Sequence, residues 1–290
     1  MWMPWDTAVW CALALGAASF ALPGLHRVPR WTPATRRRLT ALHPWVREAG
    51  IVFALYAAWR LLGEVTIMGT GGALRRGQQL YDLQRALHLP DELTLQRWAL
   101  KAPVFVRFGN WYYIVVHVVP VGIFLAWLFA RHRGVYRRWR TTFALSSLVV
   151  LLLQWVPVAP PRFYPQLGFI DAGARFGPRV YDSTGVATAG QLSAMPSMHV
   201  AWAVAIGLAV FVCARSPWRW IGPAHAMLTV YAVCVTGYHW LSDGLVAAAA
   251  VFAVTWATGK VYGRTITPAP APPPGPPPPS PHRSDAPVSG

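Results

Sequence analysis

Charge is what this sequence has least of. Only 12% of its 290 residues are Asp, Glu, Lys or Arg, where a soluble globular domain carries about a quarter. That deficit excludes an ordinary soluble enzyme. With 54% hydrophobic residues and a mean hydropathy of +0.34, the chain is not a disordered one either, despite its 27 prolines. Acid is scarcer than base, 10 residues against 26, giving a formal charge of +16. Lysine is nearly missing, with Lys101 and Lys260 alone. A nucleic-acid binder would use such a charge, but its placement excludes that partner. The basic residues sit in short loops between long apolar runs, the layout of a multi-span membrane protein. Cysteine is limited to Cys11, Cys213 and Cys234, all inside apolar runs. Their number excludes a disulfide framework and their spacing a zinc finger, so they read as small apolar fillers.

A bilayer crossing needs roughly 20 mostly apolar residues. Seven stretches qualify: 7–23, 46–68, 110–130, 141–157, 198–214, 221–237 and 243–262. Nothing basic precedes the first, whereas Trp2, Trp5 and Asp6 do, so it reads as a retained span and not a signal peptide. The 16 tryptophans cluster toward span ends, as an interfacial belt does. Loops 24–45, 131–140 and 215–220 carry arginine without acid and alternate along the chain. The excess of basic residues in cytoplasmic loops then puts these three inside and the N-terminus outside. Loop 69–109 mixes six basic residues with Asp82, Asp91 and Glu92. Within it, 74–100 is too polar to span. Leu80, Leu83, Leu87, Leu93 and Leu95, interrupted by Pro90, predict two short amphipathic helices on the outer membrane surface. A plain surface loop is the alternative. Between Pro268 and Pro281, ten of fourteen residues are proline, which predicts an extended, disordered tail.

This topology gathers polar residues at the outer interface. The loop after span four holds Pro160-Pro161-Arg162 and ends in Met195-Pro196-Ser197-Met198-His199. The connection after span six holds Thr236-Gly237-Tyr238-His239-Trp240-Leu241-Ser242-Asp243. A neutral imidazole can attack phosphorus, and a carboxylate on its other ring nitrogen fixes its tautomer. His239 and Asp243 are four residues apart, so a helical turn would set them on one face. A second histidine, His199, can protonate the leaving oxygen and later activate an acceptor. Arg162 offers a planar fork that matches phosphate oxygens. Pro196-Ser197 before an apolar run signals a helix start, whose N–H groups form an anion site that Ser197 caps or joins. Together these residues read as phosphoryl transfer at a membrane surface. Taken singly, each histidine reads as an interfacial solvated residue. Zinc is the rival for two histidines and an aspartate, but there is no third histidine nearby and no HExxH. A Ser–His protease lacks its Gly-flanked elbow.

These motifs resemble the type 2 phosphatidic acid phosphatase superfamily of membrane lipid phosphatases and phosphotransferases. Its Arg-containing first motif, Pro-Ser-Gly-His second motif and third motif ending His-x-x-x-Asp look like Pro161-Arg162, Pro196-Ser197-Met198-His199 and His239 to Asp243. The resemblance implies an all-α, six-helix membrane core over residues 45–262. An extra span and basic loop (1–44) would precede it, and a disordered Pro-rich cytoplasmic tail (263–290) would follow. It implies His239 as nucleophile, Asp243 as its orienting partner and His199 as acid/base, with no metal and no cofactor. Within the superfamily the chain looks closest to the bacterial branch related to inositol phosphorylceramide synthase. Ala194-Met195-Pro196-Ser197-Met198-His199-Val200-Ala201-Trp202 and Asn110-Trp111-Tyr112-Tyr113 with His117 carry that likeness.

The chain departs from the phosphatase pattern at two cations, which are here Trp155 and Val233, and the second-motif Gly is Met198. A phosphomonoester carries about −1.5 to −2 charge near pH 7, and a phosphodiester one charge fewer. The missing cations therefore point to a phosphodiester lipid and to head-group transfer; the likeness to inositol phosphorylceramide synthase implies a polyol such as inositol as acceptor, or transfer from such a lipid to another acceptor. Arg175 and Arg179 in the same outer loop are the cations that would replace them and undo that inference. Intramembrane polar residues are expensive and often line cavities. Asn110, His117 and Glu64 are the candidates for an acceptor pocket, although Arg60 and Glu64, one turn apart, and also Gln154, have partners to find. His225 reads as structural. Two alternatives stay open: simple hydrolysis of a lipid phosphate or polyprenyl diphosphate, with water as acceptor, and a non-catalytic lipid carrier. The location expected is a cell membrane, with the site on the extracytoplasmic side. The Arg-, Ala- and Pro-rich composition fits a GC-rich bacterial genome.

Overall fold

The apolar runs fold as helices, because a backbone in a lipid interior must satisfy its own hydrogen bonds. The computed structural model describes residues 3–25, 31–66, 70–115, 119–177 and 188–263. The expectations for His117, Arg179 and the Pro-rich stretch fall outside the described residues. The main helices are α1 (Trp5–Leu25), α2 (Pro33–Thr66), α3 (Ala73–Ala86), α4 (Glu92–Leu100), α5 (Pro103–Val115), α6 (Val119–Arg131) and α7 (Arg133–Leu153), then α8 (Ala172–Phe176), α9 (Met198–Cys213), α10 (Ile221–Val235) and α11 (Leu241–Tyr262), with one further helical turn at Thr188–Gln191 and short 3-10 turns between them. Among the described residues the only β-type pairing is an isolated bridge between Val158 and Ser193. The protein is an all-helical membrane bundle.

Each expected span contains a helix, but the bounds differ. Within the described residues, two helices are long and apolar enough to cross a bilayer alone, Trp5–Gly24 of α1 and α11, each at a mean hydropathy of 1.5. Helices α5 and α6 qualify only as a pair, bent by 53°. The expected loops 24–45 and 131–140 are largely helical, because α2 starts at Pro33 and α7 at Arg133. Arginine is a good helix former, proline suits a first turn, and Thr32 Oγ1 accepts from the Thr35 amide to cap α2. At 1.5 Å per residue, the 34 residues of α2 run about 51 Å, beyond a hydrocarbon core of about 30 Å.

Helix α1 packs antiparallel along α2. Tyr56 donates to the Met3 carbonyl at 3.0 Å, and a Cβ on Gly50 would stand 3.4 Å from the Gly16 nitrogen. Polar bonds cross the rest of the bundle: Thr142 to Thr258 at 2.8 Å and Trp202 Nε1 to Ser147 at 2.9 Å. Arg138 donates to the carbonyls of Thr255 and Gly263, closing the C-terminus of α11 as a cation suits that end. Around these bonds Val150, Val200, Val233, Ala247 and Val251 are buried.

Helices α3 and α4 form where the leucine pattern predicts them. Leu83 and Leu87 are exposed, while Leu93 is buried with Tyr164, Phe169 and Trp240. The buried face also carries Gln84, Glu92 and Gln96. The pair therefore covers the loop after α7 and the start of α11, in addition to offering an apolar face outward. Helix ends and loops leave backbone groups that need partners, and these three side chains supply them.

Candidate active site

The third motif lies in a turn and not, as its spacing predicts, on one helical face. Helix α10 stops at Val235, and Gly237 takes φ +75°, a left-handed conformation that glycine tolerates. The turn delivers His239 just ahead of α11, while Asp243 stands in that helix's first turn. Asp243 is fully buried and His239 is 6% exposed. His239 Nδ1 lies 2.8 Å from the Ala194 carbonyl and 3.3 Å from Asp243 Oδ2. A carbonyl and a carboxylate can only accept, so Nδ1 carries the hydrogen. The Nε2 lone pair is then the one available for attack. Asp243 Oδ2 also accepts from the Trp240 amide at 2.8 Å, which fixes the carboxylate before substrate arrives.

The second motif meets the third directly. The Ser197 amide donates to the Asp243 carbonyl at 3.2 Å. Ser197 is fully buried and caps α9, accepting from the Val200 amide at 3.4 Å. Gln154, buried at the end of α7, donates to the Pro196 carbonyl at 2.8 Å. His199 stacks on Tyr113 with centroids 4.0 Å apart and planes at 23°. Its ring centroid stands 5.9 Å from that of His239.

The first motif closes the group. The Arg162 amide donates to the Gly237 carbonyl at 3.0 Å. Its guanidinium lies over Tyr238 at 5.1 Å and Phe163 at 4.9 Å, and donates to Gln191 Oε1 at 3.3 Å. Arg162, Ser197, His199, His239 and Asp243 thus converge, although they come from three segments. Arg175 is exposed on α8, its guanidinium 5.6 Å above Phe176. Asn110 is buried, but as a tie: it donates to the Gly177 carbonyl at 2.7 Å and accepts from the Tyr238 hydroxyl at 3.3 Å. Glu64 is half exposed and pairs with Arg60 at 3.8 Å. Among the described residues it makes no hydrogen bond to a motif residue. The structure places Glu64 in an ion pair and Asn110 between the loop after α8 and the third-motif segment. A helical pair one turn apart satisfies itself, and the Asn110 amide bonds one backbone carbonyl and one side-chain hydroxyl. His225 has the structural partner expected of it, Tyr112, at 2.6 Å. Among the described residues no three His, Cys, Asp or Glu side chains group to hold a metal.

Residues 78–257 match the model of the PAP2 superfamily, and all three motifs fall inside the match. The chain belongs to the PAP2 superfamily. Members are phosphatases and phosphotransferases acting on lipid phosphates, so this protein is a membrane enzyme of that kind. Comparison with the curated proteins and with solved structures returned no match. The PAP2 match begins within α3, so α1 and α2 precede it.

Several PAP2-site contacts come from residues outside the three motifs. Gln96 pins the loop to the end of α10: its Nε2 donates to Ile170 O and Val235 O, and its Oε1 accepts from the Ile170 amide. Glu92 Oε1 accepts from the Leu241 amide at 2.6 Å and Gln84 Oε1 from the Ser242 amide at 2.9 Å. Burial, the largest influence, holds the Glu92 carboxyl pKa above its ordinary value. Burial likewise pushes the Tyr164 hydroxyl up to about 12. That hydroxyl donates to the Leu74 carbonyl, tying the first-motif loop to α3.

Proposed function

We propose that this PAP2 enzyme transfers a phosphoryl-containing head group between a lipid phosphodiester and a polyol such as inositol, through a phospho-His239 intermediate. The observation that carries the reading is the double hold on His239 Nδ1, by Ala194 and Asp243, with Arg162 and His199 beside it. His239 Nε2 attacks phosphorus while His199 protonates the departing oxygen. His199 then takes the proton of the incoming hydroxyl, which displaces His239 and restores the enzyme. Arg162 and the start of α9 hold the phosphate oxygens.

The diester preference rests on charge. Trp155 (65% exposed) and Val233 (1% exposed) stand where the phosphatase pattern has cations. Arg175 is exposed and stacked on its neighbour, and Arg76 is bound to the carbonyls of Pro157 and Gly71. An apolar cavity of about 270 Å³ lies between α2, α6, α7 and α9. Trp202 in its wall is three residues from His199, which suits a lipid partner. The basic segments that alternate along the sequence support a site on the extracytoplasmic side of a cell membrane.

The test uses detergent-purified protein with a lipid phosphomonoester, a lipid diphosphate and a phosphoinositide, each with and without inositol. An inositol-dependent phosphoester product, lost in His239→Ala, is expected. Phosphate release that ignores inositol makes the protein a hydrolase and refutes transfer. Lipid binding without turnover makes it a carrier.

A further inference from the structure

The start of α11 carries both the catalytic carboxylate and, through the preceding turn, the nucleophile. Its backbone amides at 240, 241 and 242 would ordinarily be orphan donors. Here each has a side-chain acceptor. Asp243 Oδ2 takes the Trp240 amide from within the helix. The other two come from far away in sequence: Glu92 Oε1 takes the Leu241 amide at 2.6 Å, and Gln84 Oε1 takes the Ser242 amide at 2.9 Å. Glu92 is 2% exposed and Gln84 1% exposed. Both lie on the buried face of the α3–α4 pair, which Tyr164, Phe169 and Trp240 pack against.

We propose that Glu92 and Gln84 are positioning residues for the His239–Asp243 pair, a cap supplied in trans by α3 and α4. The inference rests on the phospho-histidine reading. The physical reason is registry. Asp243 Oδ2 can reach Nδ1 of His239 at 3.3 Å only while the first turn of α11 keeps its height and rotation. Two acceptors anchored on other helices fix both. A misplacement of about 1 Å can cost a hundredfold in rate. The cap also decides where phosphate binds. With its amides occupied, the start of α11 offers no anion site, and the phosphate falls to α9 and Arg162.

The experiment compares Glu92→Ala, Glu92→Gln and Gln84→Ala in the full chain, with His239→Ala as control. Initial rates are measured on whichever lipid of the panel the parent turns over. Hydrogen–deuterium exchange of the peptide spanning residues 238–244 is followed alongside. Glu92→Ala should lower kcat about tenfold, the size of one well-made hydrogen bond, with KM within twofold. Its 238–244 peptide should exchange faster. Glu92→Gln keeps the acceptor oxygen and should restore both readouts to near parent. Equal kcat in Glu92→Ala and parent overturns the inference. So does a Glu92→Gln as impaired as Glu92→Ala, or a loss confined to KM. Should Glu92→Ala fail to fold, Gln84→Ala removes the neighbouring bond alone and carries the same comparison. Parent turnover that survives His239→Ala sinks the phospho-histidine reading instead. His239-dependent turnover indifferent to Glu92 sinks this one.

Discussion

Asp243→Asn separates two jobs that a carboxylate beside a histidine usually does together. In serine proteases the equivalent change costs about 10⁴ in kcat, because the imidazole flips to the wrong tautomer. Here the tautomer has two keepers. The Ala194 carbonyl is the nearer, at 2.8 Å from Nδ1, and Asp243 Oδ2 stands at 3.3 Å. One oxygen of Asp243 serves both His239 and the Trp240 amide, while Oδ1 is buried and has no hydrogen bond among the described residues. An asparagine can place its oxygen at the Oδ2 position and keep both bonds. What it loses is the negative charge that stabilises the imidazolium. A hydrogen bond to a charged group is worth about 1.5–3 kcal/mol. At about 1.36 kcal/mol per decade, kcat should fall about 10- to 150-fold. The asparagine NH₂ then occupies the unpartnered position, costing stability by about 1–3 kcal/mol. The assay is single-turnover formation of phospho-enzyme and steady-state product release, on protein shown monodisperse by gel filtration. A ten-thousandfold loss in folded protein would refute the role of the Ala194 carbonyl. A loss under about twofold would refute coupling between Asp243 and the nucleophile.

Three further outcomes follow from the same geometry. Arg162→Lys loses the planar fork and the stack over Tyr238, so kcat/KM should fall about tenfold or more; a parent-like value would remove Arg162 from phosphate binding. Gly222→Ala puts a methyl 2.5 Å from the Gly207 carbonyl where α9 and α10 cross. Overpacking against backbone should cost about 1–3 kcal/mol, seen as a lower unfolding midpoint in detergent. Glu92 has its pKa raised above the ordinary 4.5 by burial. An acid so raised contributes stability that is complete below 4.5 and lost as pH rises through the folded value. Thermal midpoints should therefore fall with rising pH in that window, and Glu92→Gln should flatten the slope.

How much of this was legible in the sequence depends on the range of each interaction. Helix existence is a local property, and the apolar runs carry it; the helix ends are less legible, because arginine-rich segments suggest loops by charge yet have the propensity to form helix. The motif residues come together at one end of the bundle, where the order of helices and loops leaves them few places to go, although the third motif does so in a turn and not on one helical face. The means of convergence are another matter. His239 is held by a backbone carbonyl 45 residues earlier and Asp243's helix by a glutamate about 150 residues earlier. No periodicity reports a carbonyl, and Glu92 in an amphipathic segment looks like any solvated acid. The one available signal was polarity in the wrong place. Gln84, Glu92 and Gln96 recur at intervals of eight and four, so on two helices they can share a single face. A face that is both apolar and amide-bearing does not suit lipid, where an unmet polar group is costly. It suits a protein surface that has backbone groups to satisfy. The polar members of α3 and α4, more than their leucines, therefore indicate what these helices cover: the first turn of the helix that carries Asp243.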